Sequence, residues 1–452
     1  MDSKEDFFKQ TEVGLIPEEW RVSTLSGLVM RITKGTTPTT IGGKFVASGI
    51  NFVKVESLND DGTINKEKFM HIDEETNTLL SRSRLQTNDL LYSIAGTIGR
   101  VSIVTEDILP ANTNQAVAII RPNLEKISLQ YLRYALINPE LKKYLLSKVV
   151  HAVQANLSLT EIGNCPIPVP KPDEQQSIAK ILSNLDSKIE LNQRMNKTLE
   201  AVGEAVFRRW FVDFEFPDLE GKPYRSSGGK MVYNSALNKE IPAKWVAKEI
   251  GELAKINEHS INKDFKYSEI EYIDIDSVDQ GIIRNPQILR LADAPSRAKR
   301  IVKNQDIIIS TVRPNLKHFA FIQNAKPNTI VSTGFAVISP MKGNSKFLYY
   351  HITTDKYTNY LSAIADSHTS TYPSFNPDII QKSLVAYPDE NEQQMTTNLP
   401  SQLDLIMEGL FGKVENNSKQ ISTLSRLRDM LLPKLMSGKI RVPIPSANME
   451  TT

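Results

Sequence analysis

One phrase of this chain is written twice. Ile16–Trp20 reads IPEEW, and Ile241–Trp245 reads IPAKW, each followed by a run of alternating apolar and polar residues. A proline that fixes φ ahead of an aromatic and such a run marks entry into a domain. The echo continues in order. NDLLYSIAG from Asn88 meets QDIIISTVR from Gln305, QAVAIIRP ending at Pro122 meets TGFAVISP ending at Pro340, YLRYAL from Tyr131 meets FLYYHI from Phe347, and PKPDEQQ from Pro170 meets PDENEQQ from Pro388. Matches that keep their order over such a span require a tandem duplication of roughly 220 residues, so whatever the first half folds into is built again by the second.

Each half begins with short strands and Gly, Asn and Thr turns. A strand pair follows, around LLYSIAGTIGRVSIV and QAVAIIRP in the first copy, and then a helical stretch, LQYLRYALINPELKKYLLS. The predicted fold class is α+β, with two mixed α/β domains each followed by a long helix. From Ile178 apolar residues recur every three or four positions through Ile181, Leu182, Leu185, Ile189, Met195, Leu199, Val202 and Val206. The second copy repeats this at Leu403, Ile406, Met407, Leu410, Val414, Ile421, Leu424, Leu427 and Leu431, with Pro400 as its start. Asn192 and Asn417 fall on the two seams, where a polar residue sets register. These helices are expected to pair as an antiparallel coiled coil with pseudo-twofold symmetry, Ile178, Leu185, Asn192 and Leu199 facing Leu403, Leu410, Asn417 and Leu424. Leu185 and Leu403 stand 218 apart but Lys188 and Lys413 stand 225 apart, which predicts a seven-residue insertion, one whole heptad, inside the second helix. The expected boundaries are 1–165, a helix at 166–215, a linker at 216–240, a second domain at 241–385, a second helix at 386–440 and a tail at 441–452.

At 452 residues, 40% hydrophobic and 23% charged, the chain is long enough for two or three cores. Its single cysteine, Cys165, allows no internal disulfide and suits a reducing compartment. MDSKEDFFKQTEVG lacks the apolar core of a secretion signal, and no apolar window is long enough for a membrane span, so a soluble cytoplasmic protein is expected. A net charge of +2 means that any polyanion would have to be held by local positive charge or through a partner.

The order TEVGLIPEEW, globular domain, PIPVPKPDEQQSIAKIL, helix, GKPYRSSGGKMV, IPAKW, second domain, EQQ, helix, LLPKLMSGKIRV resembles the DNA-specificity subunit of type I restriction-modification systems over essentially the whole chain. The resemblance implies two target-recognition domains, each reading half of a bipartite site on double-stranded DNA, held apart by the paired helices. It also implies two methyltransferase subunits and, in the full complex, restriction subunits as partners. This chain would then hold no catalytic residue and no cofactor of its own. S-adenosylmethionine, ATP and Mg would sit on the partners of an adenine-N6 methyltransferase and endonuclease. LVAYPDENEQQ departs from the half-proline phrase of the first copy.

The residues agree with a binding role. No cofactor glycine loop and no Asn-Pro-Pro or Asp-Pro-Pro followed by an aromatic occurs, and GGKF at Gly42 lacks the first glycine and the hydroxyl of a phosphate loop. Asp218, Glu220 and Lys222 mimic a nuclease triad but lie in a Gly- and Ser-rich linker, and the six histidines show no metal-ligand spacing, so no metal site is expected. Base edges are read by Arg, Lys, Asn, Gln, Ser and Thr, while most contacts go to phosphate. In the first half the candidates are Lys34, Thr36, Thr37, Arg82, Arg84, Thr97, Arg100, Asn112, Asn114 and Gln115. In the second they are Arg297, Lys299, Arg300, Arg313, Asn315, Lys317, His368 and Thr369. Arg82, Arg84, Arg297, Lys299 and Arg300 suit phosphate, and Arg313, Asn315 and Asn114 suit bases. A coiled-coil scaffold that binds other proteins and no DNA is the alternative reading.

Overall fold

The computed structural model describes residues 7–148, 156–284, 286–368, 373–389 and 399–443. They form two compact units, 1–191 with 420–452 and 192–419.

In the first unit the apolar run Leu90–Ser93 is buried on both faces, as an unbroken apolar strand should be. It lies third in a four-stranded sheet ordered Val29–Lys34, Val117–Pro122, Leu90–Ser93, Val101–Ile103, with every neighbouring pair antiparallel. A second sheet is ordered Ala111–Thr113, Ile50–Val53, Met70–Ile72, Phe45–Val46, and its first two strands run parallel. The helical stretch forms Leu129–Ile137 and Pro139–Lys148. Arg21–Thr24, just after Trp20, pairs with Pro166–Val169 and ties the start of the domain to its end.

The second unit repeats this plan. One sheet is ordered Ala254–Ile256, Phe335–Pro340, Ile307–Ser310, Phe319–Phe321, and the other Gln287–Arg290, Glu269–Ile273, Thr329–Ser332, Ala298–Ile301. Glu269–Ile273 and Thr329–Ser332 supply the parallel pair. Helices Ser345–Thr353 and Asp355–His368 follow, and Trp245–Glu249 pairs with Leu384–Pro388.

The two long helices run Pro172–Phe207 and Leu399–Met436, the second carrying Pro400 in its first turn. They are antiparallel in each unit. In the first, Ile178 and Leu182 share a core with Leu432, Leu435 and Met436; in the second, Leu403 and Met407 share one with Phe207 and Phe211. Of the seam residues, Ile178, Asn192, Leu403 and Asn417 are buried and Leu185, Leu199, Leu410 and Leu424 half-buried. Asn417 donates from Nδ2 to Asn196 Oδ1 at 2.8 Å.

The expected heptad insertion is not inside the helix. Buried positions Glu174, Gln175, Ile178, Leu182, Asn192 and Phe207 recur at Leu399, Pro400, Leu403, Met407, Asn417 and Leu432, a constant spacing of 225 from one end to the other. The closing strands keep the shorter spacing of 218, Val169 opposite Arg21 and Tyr387 opposite Val246. The seven extra residues therefore lie ahead of the helix, in the chain between Pro388 and Leu399. Matching the Leu-Asp pairs was misleading because a seam repeats every heptad and matches itself one heptad out of place. The second EQQ, residues 392–394, lies outside the described residues.

Candidate nucleic-acid interface

In an antiparallel sheet alternate connections emerge at the same end. Lys34 ends its strand opposite Ala118, and Ser93 ends its strand opposite Val117, so the connections 35–41, 94–100 and 114–116 share one rim. Backbone bonds knit them: Gly35 N to Asn114 O at 3.1 Å and Ile94 N to Ala116 O at 2.9 Å. Gly35 is required here, since a Cβ would stand 1.7 Å from the Thr113 carbonyl oxygen. Thr37 Oγ1 donates to Gln115 Oε1 at 2.6 Å, and Asn114 Oδ1 accepts from Ala116 N at 3.1 Å. The fold thus gathers Lys34, Thr36, Thr37, Thr97, Arg100, Asn114 and Gln115. Arg100 is not open: its Nε donates to Asp60 Oδ1 at 2.7 Å.

Asn112 requires a correction. It is fully buried, donating from Nδ2 to Asn77 Oδ1 and Leu80 O, and accepting at Oδ1 from Ser83 Oγ at 2.7 Å. A polar residue beside turn chemistry reads as a loop residue in sequence, yet this one is the middle residue of the buried strand Ala111–Thr113 and holds the turn Ser81–Ser83 in place. Arg82 and Arg84 lie at that turn, Arg82 exposed and Arg84 donating to Asn77 O and the Thr78 hydroxyl.

In the second domain the corresponding rim is made by 257, 311–318 and 333–334. Thr311 N donates to Gly334 O, and Thr333 N to Arg297 O, both at 2.8 Å, which brings Arg297 to the rim. Arg313, Asn315 and Lys317 belong to one connection. Arg313 and Lys317 take φ of +48° and +57°, a region that costs a non-glycine residue about 1–2 kcal/mol. The first domain has Gly96 and Gly99 in such conformations in the same connection, with φ of +70° and +95°. Lys299 is exposed beside Arg297. Arg300 departs from the expectation of an open phosphate contact: its Nη1 is buried without a hydrogen-bond partner among the described residues, and burial lowers its pKa. His368 ends its helix, and Thr369 lies outside the described residues.

The nuclease-like triad is a turn. Asp218 Oδ1 accepts from Glu220 N and Lys222 N, and Lys222 pairs with Glu220 at 2.7 Å. Gly42 caps a short helical turn in the left-handed conformation. Among the described residues no three His, Cys, Asp or Glu side chains are grouped to hold a metal.

The residues that seat each domain on the helices are not legible in the sequence, because their partners are distant in the chain. In the first unit Asp186 is a polar hub. Tyr134 OH and Arg133 Nη1 donate to its Oδ2 at 2.7 and 3.1 Å, and Arg428 Nη1 to its Oδ1 at 3.0 Å. At the 225-residue spacing the second unit has Phe411, surrounded by Phe321, Tyr349 and Tyr350 with ring centroids 4.9–6.1 Å away. Arg428 is matched by Gly203, where a Cβ would lie 1.8 Å from the Tyr350 hydroxyl. Around the repeated tryptophans the same exchange occurs. Trp20 Nε1 donates to the buried Glu174 at 2.9 Å, and Glu174 also accepts from Arg441 Nε at 3.0 Å. The positions of Glu174 and Arg441 are taken by Leu399 and Phe216 in the second unit, where Phe216 stacks on Trp245 at 5.5 Å and the Trp245 Nε1 is buried without a hydrogen-bond partner among the described residues.

The chain matches the model of the type I restriction modification DNA specificity domain at residues 17–201 and again at 242–415. It is 26% identical over 442 residues to the type I restriction enzyme MjaIX specificity subunit of Methanocaldococcus jannaschii, covering 96% of each chain. With the HindI specificity subunit of Haemophilus influenzae it shares 21% identity over 84% of this chain and 93% of the relative. Among solved structures it resembles the type I restriction-modification S subunit from M. genitalium with a TM-score of 0.52 at 16% identity, covering 92% of this chain and 96% of that one.

Proposed function

The chain belongs to the type I restriction modification DNA specificity family, and on that premise we propose that it reads a bipartite duplex site, one half with each domain, and brings methyltransferase and restriction subunits to it. The observation that carries this reading is the duplication of one rim: each domain carries candidate residues, Asn114 in the first and Arg313 and Asn315 in the second among them, on the connections at one end of an antiparallel sheet. Loops held by a rigid sheet can vary in identity without disturbing the fold, which suits a protein whose task is to choose sequences. Adenine methylation and ATP-driven cleavage then belong to the partners, along with their S-adenosylmethionine, ATP and Mg. Cytoplasmic residence, with the chromosome, follows from the same role.

The test is to map methylated adenines in cells that carry the chain with its methyltransferase, then to exchange residues 241–389 for the same span of another family member. The expected outcome is a two-part methylated site of which one half changes and the other stays. Retention of both halves after the exchange would refute the reading. A coiled-coil scaffold without DNA binding predicts no dependence of methylation pattern on this chain at all.

A further inference from the structure

The rim of each domain carries a cation already engaged by a carboxylate from elsewhere in the fold. Arg100 ends the connection 94–100, and its Nε and Nη2 lie 2.7 and 3.4 Å from the two oxygens of Asp60. Lys317, near the end of the matching connection, has its Nζ 2.6 Å from Asp355 Oδ1. The carboxylates come from unrelated elements, Asp60 from the turn between Leu58 and Ile64 and Asp355 from the first turn of a helix. The exposures are nearly the same in the two pairs: 23% for the Arg100 side chain against 80% for Asp60, and 33% for Lys317 against 81% for Asp355. In both, a cation with a packed stem is met by a carboxylate standing in solvent. Among the described residues neither Asp side chain makes another hydrogen bond, and Asp355 serves its helix only through the dipole at the first turn.

We propose that Asp60 and Asp355 are latches that occupy the phosphate-binding valence of Arg100 and Lys317 in the free protein and surrender it to the DNA backbone on docking. This rests on the reading of the rims as DNA-binding. A phosphodiester offers the same pair of anionic oxygens to a guanidinium fork as a carboxylate does, and an ammonium takes either as a point charge, so the exchange is one anion for another. The latch lowers affinity for every duplex alike, because phosphate contacts carry no sequence information. Its use is to hold down non-specific binding, which is almost wholly a phosphate affair, and leave discrimination to base contacts. The latch also leaves a thermodynamic mark. A cation already neutralised by Asp displaces a phosphate's counterion but frees a carboxylate that gathers one, so it contributes little to the salt dependence. An unlatched cation contributes up to about 0.9 to the slope of log affinity against log salt.

The experiment measures binding of the full-length chain to a short random-sequence duplex across a salt series, for the native protein, Asp60→Asn, Asp355→Asn, both together, and each combined with Arg100→Gln or Lys317→Gln on its own rim. Each Asn variant should bind about two- to five-fold more tightly at low salt, as loss of an exposed pair allows, with a slope steeper by up to about 0.9. Both gains should vanish when the cation is removed as well. Unchanged affinity and slope in the Asn variants, or weaker binding because the carboxylate serves to aim the cation, would overturn the latch while salt-dependent binding by the native chain leaves the DNA-binding reading intact. A native chain that shows no salt-dependent binding would overturn both.

Discussion

At the scale of single residues the repeated tryptophan shows how one sequence phrase comes to mean two physical things. Trp20 and Trp245 are equally buried, at 1% and 3% exposure, and both close a domain on its own end. Trp20 donates to a buried carboxylate that Arg441 also holds. Trp245 is enclosed by Phe211, Phe214 and Phe216, and its indole N–H has no partner among the described residues. A hydrogen bond to a charged group contributes about 1.5–3 kcal/mol, and a buried donor left without a partner costs about 1–3 kcal/mol. Trp20→Phe should therefore destabilise the first unit by that much beyond the loss of ring area, whereas Trp245→Phe should lose ring area alone and regain the cost of the unpaired N–H. Urea unfolding of both variants checks this. Equal losses would mean that Glu174 draws nothing from the indole.

At the scale of elements, each long helix caps a helix of the domain it carries. Gln175 Oε1 accepts from Ser128 N at 2.9 Å, ahead of Leu129–Ile137. Asp404 accepts from Ser345 N at 3.3 Å and Lys346 N at 2.8 Å at the start of Ser345–Thr353, whose own N-cap Asn344 does not cap it, its Oδ1 accepting instead from Tyr387 OH at 2.7 Å. A carboxylate on these N–H groups also meets the positive end of the helix dipole. Asp404→Ala should cost the second unit about 1–2 kcal/mol, read as a shift in its denaturation midpoint, with Asp404→Asn recovering part of it. The same contacts change what a seven-residue deletion of Asp404–Leu410 would do. It removes the cap and Met407 from the core and so should unseat the second domain, although the apolar seam stays in phase. The heptad period is blind to this because it records only which face is buried, and a cap depends on which residue stands at one level of that face.

At the scale of the whole molecule, two copies of one topology are seated by different chemistry. The first uses Asp186 with Arg133, Tyr134 and Arg428, and Glu174 with Trp20 and Arg441; the second uses Phe411, Tyr349, Tyr350, Leu399 and Phe216. A second copy of residues 16–171 placed at 241–389 should therefore fold and fail to seat, since Arg133 would meet Phe411 and lose its carboxylate. That pair is partly buried in the first unit, and its loss costs at most what a fully buried one does, about 3–5 kcal/mol. Adding Phe411→Asp, Gly203→Arg, Leu399→Glu and Phe216→Arg should restore it. Limited proteolysis at the helix–domain junction reads the difference, and equal protection with and without these changes would show the two seats to be interchangeable. Natural exchange of recognition domains should be confined in the same way to domains whose seating residues match the helices.

The amino-acid sequence by itself determined the duplication, the α+β class, the two long seams with Asn192 and Asn417 buried on them, and the strands that carry the rims. Each of these is a periodic or repeated feature, and periodicity in the chain becomes a face in the structure whatever the rest of the fold does. Only the tertiary structure decided where the extra seven residues lie, because a heptad matches itself after any whole shift and burial against the domain breaks the tie. It decided that Asn112 is buried while Asn114, two residues on, stands at the rim, since both are asparagines next to turns. It decided too that Arg100 and Lys317 stand paired. Their carboxylates come from other elements, and such pairs are chosen by where the strands and helices bring the chain together, a relation that residue order does not record.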